Sequence, residues 1–270
     1  MLKIKFEMRS PYTHSLRKDE PMQNTLENDL QKQLFFDGMR ALSLPDWEIL
    51  DENGLLAFKS PCKVPFMDFM YASVTQENFE KAKRFYLTKP FMWLLYTDLK
   101  APLLSQWGFK GPEINCEMIL SLAEYIPVAT PSTIEIRRVT TQEDYKNWIS
   151  TAADWLAQDV ALVDEFFGPW IKKGISIPYL ALLNREPAAT SLLYCGSHDA
   201  AIYCLGTRQK FRRQGLGCAV THACLLEAKN RNLSKATLYA SLQGMRLYEK
   251  IGFKSIQTLY EYAYDPKNGA

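Results

Sequence analysis

Histidine is scarce in this chain, with three residues in 270, and His14, His198 and His222 do not form a spaced set of partners for a metal, so no metal site is expected. The six cysteines include no C-x-x-C pair and lie among apolar residues. That usage fits buried free thiols in a reducing compartment, and a cytoplasmic location is expected. No run reaches the roughly 18 apolar residues of a membrane span, since the richest, Pro90 to Leu99, carries Asp98. The opening Met1-Leu-Lys-Ile-Lys has no continuous apolar region of the kind a cleaved signal needs. Neither sign of charge dominates: 32 Lys and Arg face 30 Asp and Glu, which argues against a nucleic-acid partner. No Gly-Lys-Ser/Thr is present, and Gly215-x-Gly217 leads to Val220 where a dinucleotide fingerprint wants its third glycine. Both nucleotide loops are thereby excluded.

What is present is globular: 47% hydrophobic and 13% aromatic residues, enough for one large or two medium domains. The periodicities predict a helix over 24–42, a hairpin over 48–60 turning at Asn53-Gly54, and a strand over 66–74. A helix capped by Thr75 follows to Tyr86, then a strand 91–96, a short helix 102–107 and a strand 117–122. Two prolines in Ile126-Pro-Val-Ala-Thr-Pro-Ser132 mark a boundary, giving units 1–130 and 131–270. The second unit opens with a strand 134–139 and a helix from the capping pattern Thr141-Gln-Glu-Asp144. An antiparallel meander 178–207, a helix 217–231, a strand 236–241, a short helix 244–251 and a strand 255–264 complete it. The class is α/β with a mixed sheet.

Residues 201–207 form a strand that runs into Arg208-Gln-Lys-Phe-Arg-Arg-Gln-Gly-Leu-Gly217 and then a helix. Unpaired amides and the positive end of a helix dipole meet there, which makes an anion site. Glycines at 215 and 217 let an anion approach the backbone, and Arg208, Lys210, Arg212 and Arg213 add attraction. Residues 133–270 carry 17 basic and 13 acidic side chains, against 15 and 17 in 1–132, so the second unit is the better anion binder.

Arg212-x-x-Gly215-x-Gly217 and, further on, Leu247-Tyr248-Glu-Lys-Ile-Gly-Phe253 resemble the two signatures of the GNAT superfamily of N-acetyltransferases. The element order over 133–264 is similar as well. The resemblance implies a mostly antiparallel sheet flanked by helices, with acetyl-CoA as co-substrate between the strands 201–207 and 236–241. Its pantetheine would pair with backbone at Leu205, Gly206 and Thr207, and its pyrophosphate would rest on Arg212, Arg213, Gln214, Gly215, Leu216, Gly217 and Cys218. Tyr248 would protonate the departing thiolate after direct attack by a primary amine, with no covalent enzyme intermediate. Ser241 stands where the family often has Asn, and its hydroxyl could still hold the cofactor.

The residues 200–204, Ala-Ala-Ile-Tyr-Cys, lack the carboxylate that many members place there. Asp199, Glu165 and Asp164 are the remaining candidates for a base, each also readable as a solvated loop charge. Of Trp155, Phe166, Phe167 and Trp170, about half would touch the acceptor by the family's usual layout. Leu103 to Lys110 shares its first Leu and its closing Gly-Phe-Lys with Leu247 to Lys254. The likeness suggests a duplication in which residues 24–124 form a degenerate GNAT-like unit that shapes the acceptor cleft without binding CoA. An acyl-CoA-binding or protein-interaction module without turnover is the alternative. The expected partner is a small-molecule or peptide amine, with no nucleic acid and no membrane, and the chain is a monomer or homodimer.

Overall fold

The computed structural model describes residues 30–42, 46–62 and 68–267. The expected helix start at Asn24 and its stop at Leu44-Pro45 lie outside the described residues. The first half contains α1 (Leu30–Leu42), β1 (Glu48–Glu52), β2 (Leu55–Lys59), β3 (Phe69–Tyr71), α2 (Gln76–Tyr86), β4 (Phe91–Leu95), α3 (Ala101–Gln106) and β5 (Lys110–Ser121). The second contains β6 (Ile134–Arg138), α4 (Gln142–Leu156), α5 (Val160–Lys172), β7 (Ser176–Leu183), β8 (Glu186–Cys195) and β9 (Asp199–Thr207). It closes with α6 (Leu216–Asn230), β10 (Lys235–Ser241), α7 (Met245–Ile251) and β11 (Lys254–Tyr264).

Local chemistry accounts for most of these boundaries. Asn53 and Gly54 turn the first hairpin at φ 47° and 79°, which few other residue pairs tolerate. Three helices start on side-chain caps: Thr75 Oγ1 takes the Asn78 amide at 3.2 Å, Thr141 Oγ1 that of Asp144 at 3.1 Å, and Asp159 Oδ1 that of Ala161 at 2.7 Å. Three elements differ from expectation, the first being the strand expected over 66–74, which is Phe69–Tyr71, with 66 and 67 outside the described residues. β5 begins at Lys110, well before the apolar stretch, and α5 runs through Gly168 and Pro169, residues that normally break a helix.

The eleven strands among the described residues join one sheet in the order β1-β2-β3-β4-β11-β5-β10-β9-β8-β7-β6. Only β3–β4 and β9–β10 are parallel pairs among the described residues, so the sheet is mixed and mostly antiparallel. The last strand of each half crosses over: β11 lies between β4 and β5 of the first half, and β5 lies between β11 and β10 of the second. One face carries α1, α4 and α5 over a core that joins Phe58, Tyr71 and Leu94 to Trp148, Phe166 and Trp170. The opposite face carries two cores, one under α2 and α3 and one under α6 and α7. Cys116, Met118 and Leu120 of β5 are buried in the latter.

Candidate active site

The site begins where two parallel strands part. β9 and β10 pair only from Asp199↔Lys235 to Ala201↔Thr237, yet β9 runs on to Thr207 and β10 to Ser241. The result is a fork whose inner backbone edges are not committed to each other. On its outer side β9 is bulged, because the register against β8 jumps from Leu192↔Tyr203 to Thr190↔Gly206. Cys204 in the bulge takes φ 46°, and its carbonyl accepts the Thr190 hydroxyl at 3.0 Å. Thr190 Oγ1 in turn accepts the Trp155 indole N–H at 2.9 Å. That ring lies over Gly206 so closely that a Cβ there would come within 2.1 Å of it. Gly206 is therefore fixed by packing.

Past Thr207 the chain makes a 3-10 turn, Gln209–Phe211, and enters α6. Unlike α2, α4 and α5, α6 has no side-chain cap. Gly215 precedes it at φ 84°, and the first intrahelical bond is Ala219 N to Gly215 O at 2.9 Å, so the amides of Leu216, Gly217 and Cys218 have no helical acceptor. A Cβ on Gly217 would sit 3.4 Å from Leu247 and 3.7 Å from Thr207 Oγ1, which places these amides between the end of β9 and α7. The Arg212 guanidinium donates to Thr207 O at 3.2 Å and ties the loop to the strand. Arg213 is exposed at φ 65°. The expected contribution of four basic residues needs correction. Arg208 donates to Pro187 O and Ser150 Oγ, both at 3.1 Å, and faces Asp154, while Lys210 is paired with Glu186. Both serve the loop's fold.

Residues 182–263, which span the fork, the uncapped helix and α7, match the family model of the GNAT acetyltransferase domain. That stretch is similar to a GNAT acetyltransferase domain. Solved structures agree on the GNAT fold. A GCN5-related N-acetyltransferase from Kribbella flavida is 14% identical, with 88% of this chain and 96% of that one covered and a TM-score of 0.65. A functionally unknown conserved protein from Staphylococcus epidermidis is 12% identical over 83% and 96%, at 0.67. A tandem GNAT protein from the clavulanic acid biosynthesis pathway is 9% identical over 86% and 87%, at 0.56. No curated protein sequence matches the chain.

Within the GNAT frame the expected residues divide into those at the fork and those away from it. Tyr248, on α7, is buried beside Gly244 and edge-on to Phe253, and its phenol has no hydrogen-bond partner among the described residues. Burial pushes its pKa well above that of a free tyrosine, so it keeps its proton throughout the neutral range. Leu216 is buried and offers only its amide, while Gln214 is exposed and Leu205 and Cys218 are half-buried. The Ser241 hydroxyl accepts the Gly244 amide at 3.3 Å and holds the turn into α7. Asp199 lies at the paired end of β9, remote from the fork, and Asp164 is engaged by Tyr145 and Lys172 between α4 and α5. Phe166, Phe167 and Trp170 are core residues at 3%, 7% and 2% exposure, whereas Trp155 packs on the fork itself.

The face opposite Tyr248 holds groups that the motifs did not point to. Tyr71 of β3 and Tyr239 of β10 meet hydroxyl to hydroxyl at 3.2 Å, although β4, β11 and β5 lie between their strands. The sheet must curve strongly toward this side. Beneath the arch Glu117 of β5 is fully buried. Its carboxylate accepts the Gln31 amide at 3.1 Å, the Thr237 hydroxyl at 3.4 Å and the side-chain amide of Gln257. A carboxylate set between Cys116 and Met118, both buried, is the sequence signal that could have identified it.

Two positions along the same face, Glu261 of β11 accepts the Asn115 side-chain amide at 2.9 Å. Desolvation, with the Glu113 charge opposite, pushes its pKa up to about 7 against that hydrogen bond. A folded pKa above the unfolded one means stability that is full below about 4.5 and lost as pH rises through 7. Glu261→Gln is therefore expected to match the parent at pH 4 and exceed it at pH 8. The gain is about 1–3 kcal/mol, nearer the low end because the side chain keeps some water contact. Urea titrations at the two pH values check this, and equal stability at pH 8 would count against it.

Proposed function

We propose that the protein transfers the acetyl group of acetyl-CoA to a primary amine. The observation that carries the reading is the fork of β9 and β10 with the uncapped start of α6 at its mouth. The residues fit the co-substrate: amide donors without helical acceptors suit pyrophosphate oxygens, Gly217 has no Cβ to obstruct them, and an unpaired strand edge suits the amides of pantetheine. Bound there, acetyl-CoA would supply an acetyl group activated as a thioester. Arg213 to Cys218 would hold its pyrophosphate, with Arg212 keeping the loop against Thr207. Leu205, Gly206 and Thr207 would orient its arm through main-chain groups, and the Tyr248 phenol would carry the proton for the sulfur.

The crossing of β5 and β11 supports a reading of two related units, the first of which serves the second. Its own counterpart of the α6 start, at α2, is closed by the Thr75 cap, so it offers no comparable anion site. A second reading, an acyl-CoA-binding module without turnover, is favoured by the absence of a carboxylate on β9 beyond Asp199. A cytoplasmic setting and a monomeric or homodimeric state complete the proposal.

Thermal unfolding with and without acetyl-CoA tests the donor site, since a ligand bound only by the folded state raises Tm by mass action. At about 100 times Kd the gain is roughly 2.7 kcal/mol. Gly217→Glu is expected to leave the ligand-free Tm unchanged, because the Cβ is accommodated and an acidic residue suits the first turn of a helix, while abolishing the shift. Thiol release from acetyl-CoA in the presence of spermidine, lysine amide, tyramine or kanamycin A then decides between the two readings. A parent protein whose Tm ignores millimolar acetyl-CoA would end both.

A further inference from the structure

Gln31, in the first turn of α1, is 1% exposed, and its side-chain Oε1 has no hydrogen-bond partner among the described residues. Its peptide is held from both sides of the fork. The amide donates to Glu117 on β5, the strand beside β10, and the carbonyl accepts the Tyr203 hydroxyl at 3.3 Å from β9, two residues past the last β9–β10 pair. The Tyr203 ring is itself wedged between Phe35 of α1 and Trp170 of α5. A buried carbonyl oxygen without a donor is costly in a folded protein and is kept where something else gives a reason for it. Here the backbone on either side of that oxygen is fixed by a buried carboxylate and a wedged tyrosine. With its backbone fixed on both sides, Gln31 presents one uncommitted acceptor, the side-chain Oε1, beside the strands of the fork.

We propose that Gln31 Oε1 accepts an N–H of the incoming primary amine, and that Glu117 and Tyr203 are positioning residues that hold the Gln31 peptide over the fork. This rests on the acetyl-transfer reading and names the acceptor side of the same site. The acceptor lies on the face under α1 and meets the donor through the fork, across the sheet from Tyr248. The acceptor class is an unhindered primary amine, because two of its N–H bonds remain available while the lone pair is directed at the thioester carbon. The first half of the chain thus contributes a contact with the acceptor as well as a packing surface.

Removing an orphan oxygen and removing a structural hydrogen bond have opposite effects on stability, and the test uses that difference. Gln31→Leu is expected to keep or raise Tm, leave the KM for acetyl-CoA within twofold of the parent, and raise the KM for the fastest of spermidine, lysine amide, tyramine and kanamycin A tenfold or more. Tyr203→Phe is expected to raise the same amine KM threefold or more with the acetyl-CoA KM unchanged. Glu117→Gln adds a fall in Tm, and Glu117→Asp rescues part of the amine KM. An amine KM unmoved in Gln31→Leu, or KM values for amine and acetyl-CoA that rise together, would overturn the proposal while leaving the donor site standing. A fall in Tm in Gln31→Leu without an effect on the amine would make Gln31 a fold residue. Loss of the acetyl-CoA response in the parent protein removes the underlying function, and this proposal with it.

Discussion

Residues 131–270 produced alone are expected to give no cooperatively folding protein, although they contain the whole GNAT match. Among the described residues β11 pairs only with β4 and β5, and the second neighbour of β10 is also β5. The fragment would therefore lose every strand partner of β11 and expose one full edge of β10. It would also lose Cys116, Met118, Leu120 and Leu122, at 5%, 0%, 4% and 1% exposure, from the core beneath α6 and α7. Burying a Met or Leu side chain stabilises by about 1.5–3 kcal/mol, so Met118, Leu120 and Leu122 alone amount to about 4.5–9 kcal/mol. That is comparable to the whole stability of an ordinary domain, about 5–15 kcal/mol. Circular dichroism and urea titration of the fragment check the expectation, and adding 1–130 in trans is expected to restore a sigmoidal transition. A fragment that unfolds cooperatively as a monomer would sink the argument.

Tyr248→Phe is expected to lower kcat by about 10²–10⁴, the usual worth of a placed general acid, with the acetyl-CoA thermal shift intact. The substitution deletes one oxygen and keeps the ring, so its packing against Phe253 and Gly244 is preserved. The phenol has no partner among the described residues that the change could orphan. Its raised pKa also excludes Tyr248 as the source of any loss of rate between pH 7 and 9, since it stays protonated there. Stopped-flow measurement of thiol release at saturating amine isolates the effect. A kcat within threefold of the parent would make Tyr248 a packing residue and move the proton to solvent.

How much of this was legible in the sequence depends on how local each cause is. The Asn53-Gly54 turn and the Thr75 and Thr141 caps act within three residues and appear where their chemistry predicts, whereas the Asp144 carboxylate takes the Thr141 hydroxyl and Arg137 instead of a helix amide. The glycines at 215 and 217 were legible for the same reason, since positive φ and close approach are properties of the residue itself. α5 was hidden by Gly168 and Pro169, whose intrinsic cost is offset by burying Phe166, Phe167 and Trp170. β5 was only half visible. Its early residues, Lys110-Gly-Pro-Glu, lack apolar alternation, and they are strand because β11 pairs along them. The bulge at Cys204 follows from the register of β8, and the burial of Gln31 and Glu117 from contacts between distant segments. Sequence pattern records none of these.

The crossing of β5 and β11 also sets an order of assembly. Glu117 is 120 residues before Thr237 and 140 before Gln257, so β5 emerges from the ribosome long before either of its neighbours exists. At about 5–20 residues per second the wait is roughly 6–28 s. Throughout that interval a twelve-residue strand has two open edges and a row of apolar side chains without a cover. The centre of the molecule therefore forms only after β10 and β11 have been made, and the nascent chain depends on whatever shields β5 in the meantime.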